Sequence, residues 1–125
     1  MNPQRASIVD SRILVVGGAG FVGSNLVNRL IDDGAQVVHV IDNFLSAEPF
    51  NIPDNPKVQV TGLSINEEGL LEKLGTDWDI VFHLATYHGN QSSIANPHED
   101  HENNLRTTLV LADHFSTSSS LQSLV

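Results

Sequence analysis

The residues best placed to do chemistry are three glycines, Gly17, Gly20 and Gly23, which recur at intervals of three. Glycine tolerates a tight turn, and its lack of a Cβ atom lets a charged group approach the backbone. If a helix begins directly after Gly20, its first N–H groups and its dipole favour phosphate oxygens. The spacing therefore predicts a pyrophosphate-binding turn, similar to the G-x-G-x-x-G turn of dinucleotide-binding sheets. The alternative is an ordinary tight loop.

The segments on either side of the glycines favour the binding turn. Residues 13–16 form an uninterrupted apolar run, typical of a strand that is covered on both faces of a parallel sheet. After Gly20 the apolar period becomes helical, and Gly34 follows as a C-terminal cap. The expected core face of this helix consists of Phe21, Val22, Leu26, Val27, Leu30 and Ile31.

A carboxylate is the second candidate for chemistry. Asp42 ends a second apolar run, residues 35–41, and lies 19 residues after Gly23. An acid at this place binds the ribose of a dinucleotide, whereas the alternative is a turn-forming Asp-Asn pair. The cofactor expected is NAD rather than NADP, because no basic residue occurs between Arg29 and Lys57 and Asp42 would repel a 2′-phosphate.

The rest of the chain continues to alternate between strands and helices. After a loop with three prolines, the predicted strands are residues 57–61, 79–85 and 121–125. An S-x-x-E cap at residues 64–67 predicts a short helix that Gly75 closes. Asn96 as N-cap and Pro97 at the first position predict the longest helix. Its expected apolar face is Leu105, Leu109, Ala112 and Phe115.

This order of elements predicts an α/β fold: a Rossmann-type, doubly wound, mostly parallel sheet with helices on both faces. Right-handed crossovers place the first and fourth strands side by side. Their carboxyl ends carry residues 17–20 and 85–86, so the two loops are expected to converge on one ligand crevice.

Composition excludes several function classes. The chain has 125 residues, a net charge of −9 and no cysteine. The charge argues against a nucleic-acid partner, and the absence of cysteine argues against disulfides and thiolate metal sites. The absence of cysteine also makes a cytoplasmic location the expectation. No apolar run approaches membrane-spanning length, so no membrane partner is expected. Residues 1–11 are interpreted as a polar lead-in.

The histidines and the polar loop after the fourth strand carry further hypotheses. His83 lies in a predicted buried strand, where a structural role is favoured. His98 and His101 are spaced for a metal, yet an acidic, solvated helix start explains them more simply, and no metal is predicted. The loop at residues 87–93 is expected to face substrate, and an ordinary surface connection is nearly as well supported.

Together these motifs resemble the extended short-chain dehydrogenase/reductases, specifically the NAD-dependent nucleotide-sugar epimerases and dehydratases such as UDP-glucose 4-epimerases. The resemblance rests on residues 17–24 (GGAGFVGS), 42–43 (DN), 82–85 (FHLA) and 103–104 (NN). It implies that Gly20, Phe21 and Val22 hold the pyrophosphate and that Asp42 and Asn43 hold the adenosine ribose. Leu84, Ala85 and Thr86 would line the middle of the cofactor, and Asn104 would brace the loop or touch the cofactor. The full set implied to bind cofactor is Gly17, Gly20, Phe21, Val22, Gly23, Asp42, Asn43, Phe44, Ser64, Leu84, Ala85, Thr86 and Asn104.

The chain departs from the family pattern at the adenine site. Many members have Gly-Asp-Ile or Gly-Asp-Leu after the third strand, and here the sequence is Gly62-Leu63-Ser64. The carboxylate contact to the adenine amine is lost, and the Ser64 backbone is expected to meet the ring instead.

The second departure concerns catalysis. Members carry a catalytic Tyr-x-x-x-Lys, whereas the one tyrosine here, Tyr87, is followed four residues later by Gln91. The expectation is that residues 12–125 are the amino-terminal part of an NAD-binding domain, that no catalytic residue is present and that the chain alone is inactive. The parent enzyme would act on a nucleotide-diphosphate sugar, with a homodimer as a possibility. The alternatives are a non-catalytic dinucleotide-binding module or a site for another adenine nucleotide.

Overall fold

A computed structural model describes residues 6–45, 47–85 and 95–125 of the chain. Thr86 and the loop at residues 87–93, which were expected to line the cofactor and to face substrate, lie outside the described residues. No helix among the described residues is both long enough and apolar enough to cross a membrane.

Five parallel strands form one sheet in the order β3-β2-β1-β4-β5. The strands are β1 (Arg12–Val16), β2 (Val37–Ile41), β3 (Val58–Thr61), β4 (Ile80–His83) and β5 (Ser123–Leu124). The predicted doubly wound sheet is confirmed, and β1 and β4 are neighbours, with Val16 paired with His83. The carboxyl ends of β1 and β4 therefore lie side by side at the point where the strand order reverses.

The helical segments connect these strands. They are α1 (Phe21–Asp32), a 3₁₀ turn (Pro49–Asn51), α2 (Leu70–Leu74), α3 (Pro97–Asp100), a π-helical segment (His101–Arg106) and α4 (Thr107–Phe115). Asn96 immediately precedes α3 as predicted, although its side chain makes no capping hydrogen bond.

The core consists of two apolar clusters, one on each face of the sheet. Ile13 and Val15 pack with the α1 residues Val27 and Leu30. The alternate β1 side chains, Leu14 and Val16, belong to the other cluster with α2 and α4. Because successive strand residues point to opposite faces, the apolar run in β1 is buried on both sides. This confirms the interpretation of residues 13–16 as a strand covered on both faces.

The predicted core face of α1 is wrong in its first turn. Phe21 and Val22 are 85% and 64% exposed, whereas Gly23, Val27 and Leu30 are buried. An α-helix advances about 100° per residue, so Phe21 lies on the side opposite Gly23. Once Gly23 packs against the glycine turn, Phe21 cannot reach the core.

The short helix begins later than its capping pattern predicts. The Glu67 N–H donates to the Ser64 carbonyl at 2.9 Å, and the Asn66 N–H donates to Ser64 Oγ at 3.2 Å. Ser64 is therefore the first residue of a turn and does not cap a helix. Gly69 follows with φ +80°, and α2 starts only at Leu70.

The predicted apolar face of the longest helix is also wrong. Its buried residues are Thr107, Leu111 and Phe115, whereas Leu105 and Leu109 are more than half exposed and Ala112 is exposed. The sequence offers two apolar stripes on this helix, and periodicity alone does not say which one meets the sheet. Only Phe115 of the predicted face lies in the core.

Candidate functional site

Two of the three glycines are required by the packing of the turn itself. Gly17 has φ +87°, and a Cβ atom there would lie 2.5 Å from the backbone nitrogen of Ala85. A Cβ atom on Gly23 would lie 2.3 Å from the carbonyl oxygen of Gly17. The missing side chains thus let the end of β4 and the start of α1 touch the turn. The predicted turn at Gly17 and the close helix approach at Gly23 are both present.

Gly20 differs from the other two, because a Cβ atom there would lie no closer than 3.7 Å to any described protein atom outside its immediate neighbours. Nothing in the described part of the chain therefore requires glycine at this position to relieve a clash. A glycine beside open space leaves the backbone accessible to a ligand.

Helix α1 begins directly after Gly20, which is its N-cap residue. The first helical hydrogen bond runs from the Ser24 N–H to the Gly20 carbonyl at 2.9 Å. The N–H groups of Phe21, Val22 and Gly23 therefore have no acceptor within the helix, and none of the described side chains caps them. Free N–H groups at the positive end of a twelve-residue helix can bind an anion.

Asp42 lies at the carboxyl end of β2 and contacts the glycine turn directly. Its Oδ2 atom accepts the Ala19 N–H at 3.0 Å, and its Oδ1 atom accepts the Phe44 N–H at 2.8 Å. The carboxylate is half-buried, so these bonds fix its position at the edge of the turn. The next residue, Asn43, is exposed, and its Oδ1 atom accepts the Leu45 N–H at 3.0 Å.

Phe44 and Ser64 lie beside the end of β3. Phe44 has φ +57°, an uncommon conformation for a residue other than glycine. Its ring packs on Gly62, where an added Cβ atom would lie 3.3 Å from Phe44 Cε2. The Ser64 hydroxyl is occupied by the Asn66 N–H, so Ser64 presents a half-buried turn at this edge.

Leu84 and Ala85 follow β4 at the strand-order switch. The Leu84 N–H donates to the Val16 carbonyl at 2.7 Å, which extends the contact between β4 and β1 beyond the strand. This bond brings Ala85 against Gly17. The structure therefore joins the glycine turn to the residues after β4, as the topology predicts.

Asn104 lies in the π-helical segment that precedes α4. Asn104 is half-buried, and its backbone carbonyl accepts the Thr108 hydroxyl at 3.0 Å. The same Thr108 oxygen lies 3.0 Å from His83 Nε2. Burial lowers the pKa of His83, so the neutral imidazole is favoured in this strand. These bonds connect the helix to β4 through His83 Nε2, whereas the buried Nδ1 atom of His83 has no hydrogen-bond partner among the described residues.

Asn51 contacts the glycine turn, although the sequence motifs did not predict this contact. Its Nδ2 atom donates to the Ala19 carbonyl at 3.1 Å, across 32 residues of sequence. No spacing rule marks this asparagine. Its place in a proline-initiated turn was the only local signal available.

Comparison with known proteins relates this arrangement to one family. The family model described as the NAD dependent epimerase/dehydratase family matches residues 13–124. A putative UDP-glucose 4-epimerase from Methanocaldococcus jannaschii is 36% identical over 98 residues, covering 78% of this chain and 31% of that protein.

Solved structures agree with the family match. The Bordetella bronchiseptica enzyme WbmF in complex with NAD⁺ superposes with a TM-score of 0.90 at 52% identity, covering 94% of this chain and 36% of that one. The same enzyme in complex with NAD⁺ and UDP gives a TM-score of 0.91 at 50% identity, covering 97% of this chain and 36% of that one. The chain thus spans 31% of the curated relative and 36% of the WbmF chains.

Proposed function

The chain belongs to the NAD dependent epimerase/dehydratase family, and we propose that it is the NAD-binding portion of a nucleotide-sugar epimerase or dehydratase. The observation that carries this proposal is the open backbone at Gly20, beside the free N–H groups at the start of α1. Asp42 stands next to this turn with both carboxylate oxygens held by backbone N–H groups.

The residues fit a dinucleotide along one edge of the sheet. In this proposal the pyrophosphate lies over Gly20, with the N–H groups of Phe21 and Val22 as donors. The second lone pairs of the Asp42 oxygens accept the ribose hydroxyls, and Asn43 lies on the same side. Gly17 and Gly23 keep the turn close enough to β4 and α1 for this geometry.

Other segments of the chain would bind the middle and the adenine end of the cofactor. Leu84 and Ala85, together with Thr86, would cover the middle of NAD, and Asn104 would support them from the helix. Phe44 and Ser64 would flank the adenine, where Leu63 is 43% exposed and offers apolar contact in place of a carboxylate.

Bound NAD would accept a hydride from the sugar carbon that bears the hydroxyl group. The chain's own contribution is to bind and orient this cofactor. A chemical role for Tyr87 is not proposed, because Gln91 occupies the position of the lysine that would lower the tyrosine pKa. We therefore propose that residues 12–125 bind NAD without turning over a sugar, and that the substrate in a full-length enzyme is a nucleotide-diphosphate sugar. WbmF was crystallised with NAD⁺ and UDP, which supports this substrate class.

Two further proposals concern location and self-association. A cytoplasmic location is consistent with a sequence that contains no cysteine. Self-association is consistent with Leu105 of the π-helical segment and Leu109 of α4, which are 54% and 58% exposed.

Calorimetric titration of the 125-residue chain with NAD, NADP and ATP tests the cofactor proposal. We expect NAD to bind, NADP to bind at least about tenfold more weakly because Asp42 repels the 2′-phosphate, and ATP to bind no better than NADP. Gly20→Val is the matched control, since its larger side chain fills the space proposed for the pyrophosphate. A preference for ATP, equal NAD affinity in Gly20→Val, or no NAD binding by the wild type would each overturn the proposal.

A further inference from the structure

Asn51 connects the loop after β2 to the centre of the glycine turn. Its side-chain amide donates to the carbonyl oxygen of Ala19 at 3.1 Å. The N–H of Ala19 donates in turn to Asp42 at 3.0 Å, and the Ala19 methyl group is fully buried. Ala19 is therefore held at both of its peptide groups and by its side chain.

The Asn51 bond fixes the orientation of the peptide between Ala19 and Gly20. The peptide bonds of the described residues are all trans, so the C=O and N–H of one peptide unit point in opposite directions. Because Asn51 holds the Ala19 carbonyl on the side of its loop, the Gly20 N–H must point away from that loop. A flip of this peptide would break the bond to Asn51.

The flip would matter for an anion. An N–H at the N-cap of α1 adds a donor to those of Phe21 and Val22, whereas a carbonyl oxygen turned to the same side would repel phosphate. Glycine permits both peptide orientations more readily than other residues do, so Gly20 alone does not select one. The hydrogen bond from Asn51 to the Ala19 carbonyl favours one of the two orientations.

The backbone around Asn51 is held by hydrogen bonds and packing, although Asn51 itself is exposed. Pro49 opens the 3₁₀ turn, the Asn51 N–H donates to the Glu48 carbonyl at 3.1 Å, and the Ile52 N–H donates to the Pro49 carbonyl at 3.1 Å. The side chain of Ile52 packs against the core cluster on the α1 face. A donor whose backbone is fixed on both sides loses little entropy when it forms its bond.

We propose that Asn51 is a positioning residue for the diphosphate of a dinucleotide: it holds the Ala19–Gly20 peptide so that the Gly20 N–H, and not the Ala19 carbonyl, faces the phosphates. The inference rests on the proposed function and adds to it a residue that does not touch the cofactor.

Asn51→Asp tests this role, because aspartate has the same size but, when ionised, no donor. Asn55→Asp is the matched control, because it adds the same charge to the same loop. Among the described residues, the Asn55 side chain acts through its Oδ1 atom, which accepts the Lys57 N–H at 2.9 Å, and an aspartate oxygen can accept the same bond. Residual dipolar couplings of the Gly20 N–H in the NAD-free protein report the peptide orientation, and calorimetry gives the NAD affinity.

We expect Asn51→Asp to change the Gly20 coupling and to weaken NAD binding about tenfold. Asn51→Ala, which removes the donor without adding charge, should do the same if the aspartate variant does not fold. Asn55→Asp should change neither quantity.

The outcomes separate this inference from the cofactor proposal. An unchanged Gly20 coupling in both Asn51 variants overturns the inference, as does a changed coupling with wild-type NAD affinity. An equal loss of NAD affinity in Asn55→Asp would assign the effect to charge and also overturn it. A wild type that binds no NAD overturns the proposed function and, with it, the role of Asn51 toward the cofactor.

Discussion

The Oδ2 atom of Asp42 lies 3.0 Å from the backbone nitrogen of Ala19 and accepts its N–H. The bond connects the end of β2 to the centre of the glycine turn between β1 and α1. The sequence offers two interpretations of Asp42, a ribose-binding acid and a turn-forming residue, and the bond from the Phe44 N–H two residues later shows that the turn is present. In the structure the same carboxylate also supports the turn and the Phe44 backbone. A substitution at Asp42 should therefore affect both binding and stability.

Asp42→Ala should weaken NAD binding by more than about tenfold and lower the free energy of unfolding by about 1 kcal/mol. Two backbone N–H groups lose their acceptor in addition to the lost ribose contact. Calorimetry and urea unfolding measure the two effects. Asp77→Ala is the control, since Asp77 is an exposed acid before β4 that pairs only loosely with Arg12 at 3.5 Å. An Asp42→Ala protein with wild-type NAD affinity would contradict the placement of the cofactor.

Gly20→Ala and Gly23→Ala should separate binding from folding. At Gly20, with φ −71°, an alanine methyl meets no described atom closer than 3.7 Å, so stability should change by less than about 1 kcal/mol while NAD binding falls. At Gly23 the methyl would lie 2.3 Å from the Gly17 carbonyl oxygen, and a loss of about 3 kcal/mol or more is expected. Thermal melting with and without NAD distinguishes the two. A stable Gly23→Ala protein would show that α1 does not lie this close to the turn.

Leu111→Ala and Leu109→Ala test which face of α4 packs on the sheet. Leu111 is 1% exposed and Leu109 is 58% exposed, although both are leucines of the same helix. Truncation should cost about 2–4 kcal/mol at Leu111 and less than about 0.5 kcal/mol at Leu109. Urea unfolding monitored by circular dichroism gives both values. The reverse order would restore the apolar face predicted from the sequence.

His39 should make stability depend on pH. Burial lowers its pKa from the ordinary value of 6.5, and its Nε2 atom lies 2.8 Å from Thr61 Oγ1. The unfolded state therefore takes up the proton first. The stability contribution is complete above about pH 6.5 and is lost as the pH falls through the lowered pKa.

The loss should stay below about 1 kcal/mol, because His39 is only half-buried and solvent screens its charge. Urea unfolding at several pH values between about 8 and 5 measures it. The comparison is with His39→Gln, which should lose less stability than the wild type over this range. An equal loss in both proteins would mean that His39 does not contribute.

Several features of the fold could be predicted because they depend on neighbours in sequence. The apolar run at residues 13–16, the glycine-bearing turn and the acid after β2 each specify a local conformation. Right-handed crossovers then place β4 beside β1, and the observed pairing of Val16 with His83 agrees. The family resemblance stated from the same residues is confirmed by the match over residues 13–124.

Other features could not be predicted because the local sequence is compatible with two conformations or two packing faces. The S-x-x-E pattern suits a helix start or a turn, and Gly69 in a left-handed conformation decides for the turn. The apolar stripes through Leu109 and Leu111 are equally regular, and only contact with the sheet selects Leu111. The roles of the cofactor-binding residues remain predictions for the experiments above.

The sequence by itself determined the order of strands and helices, the positions of Gly17, Gly20 and Gly23, and the acid that follows β2, because backbone conformation and apolar period are local properties. The tertiary structure decided how the atoms of the glycine turn are used. Asp42 and Asn51, 23 and 32 residues away from Ala19, take its N–H and its carbonyl and leave the backbone at Gly20 open. Such a division depends on distances between segments remote in the chain, which exist only once the sheet has formed.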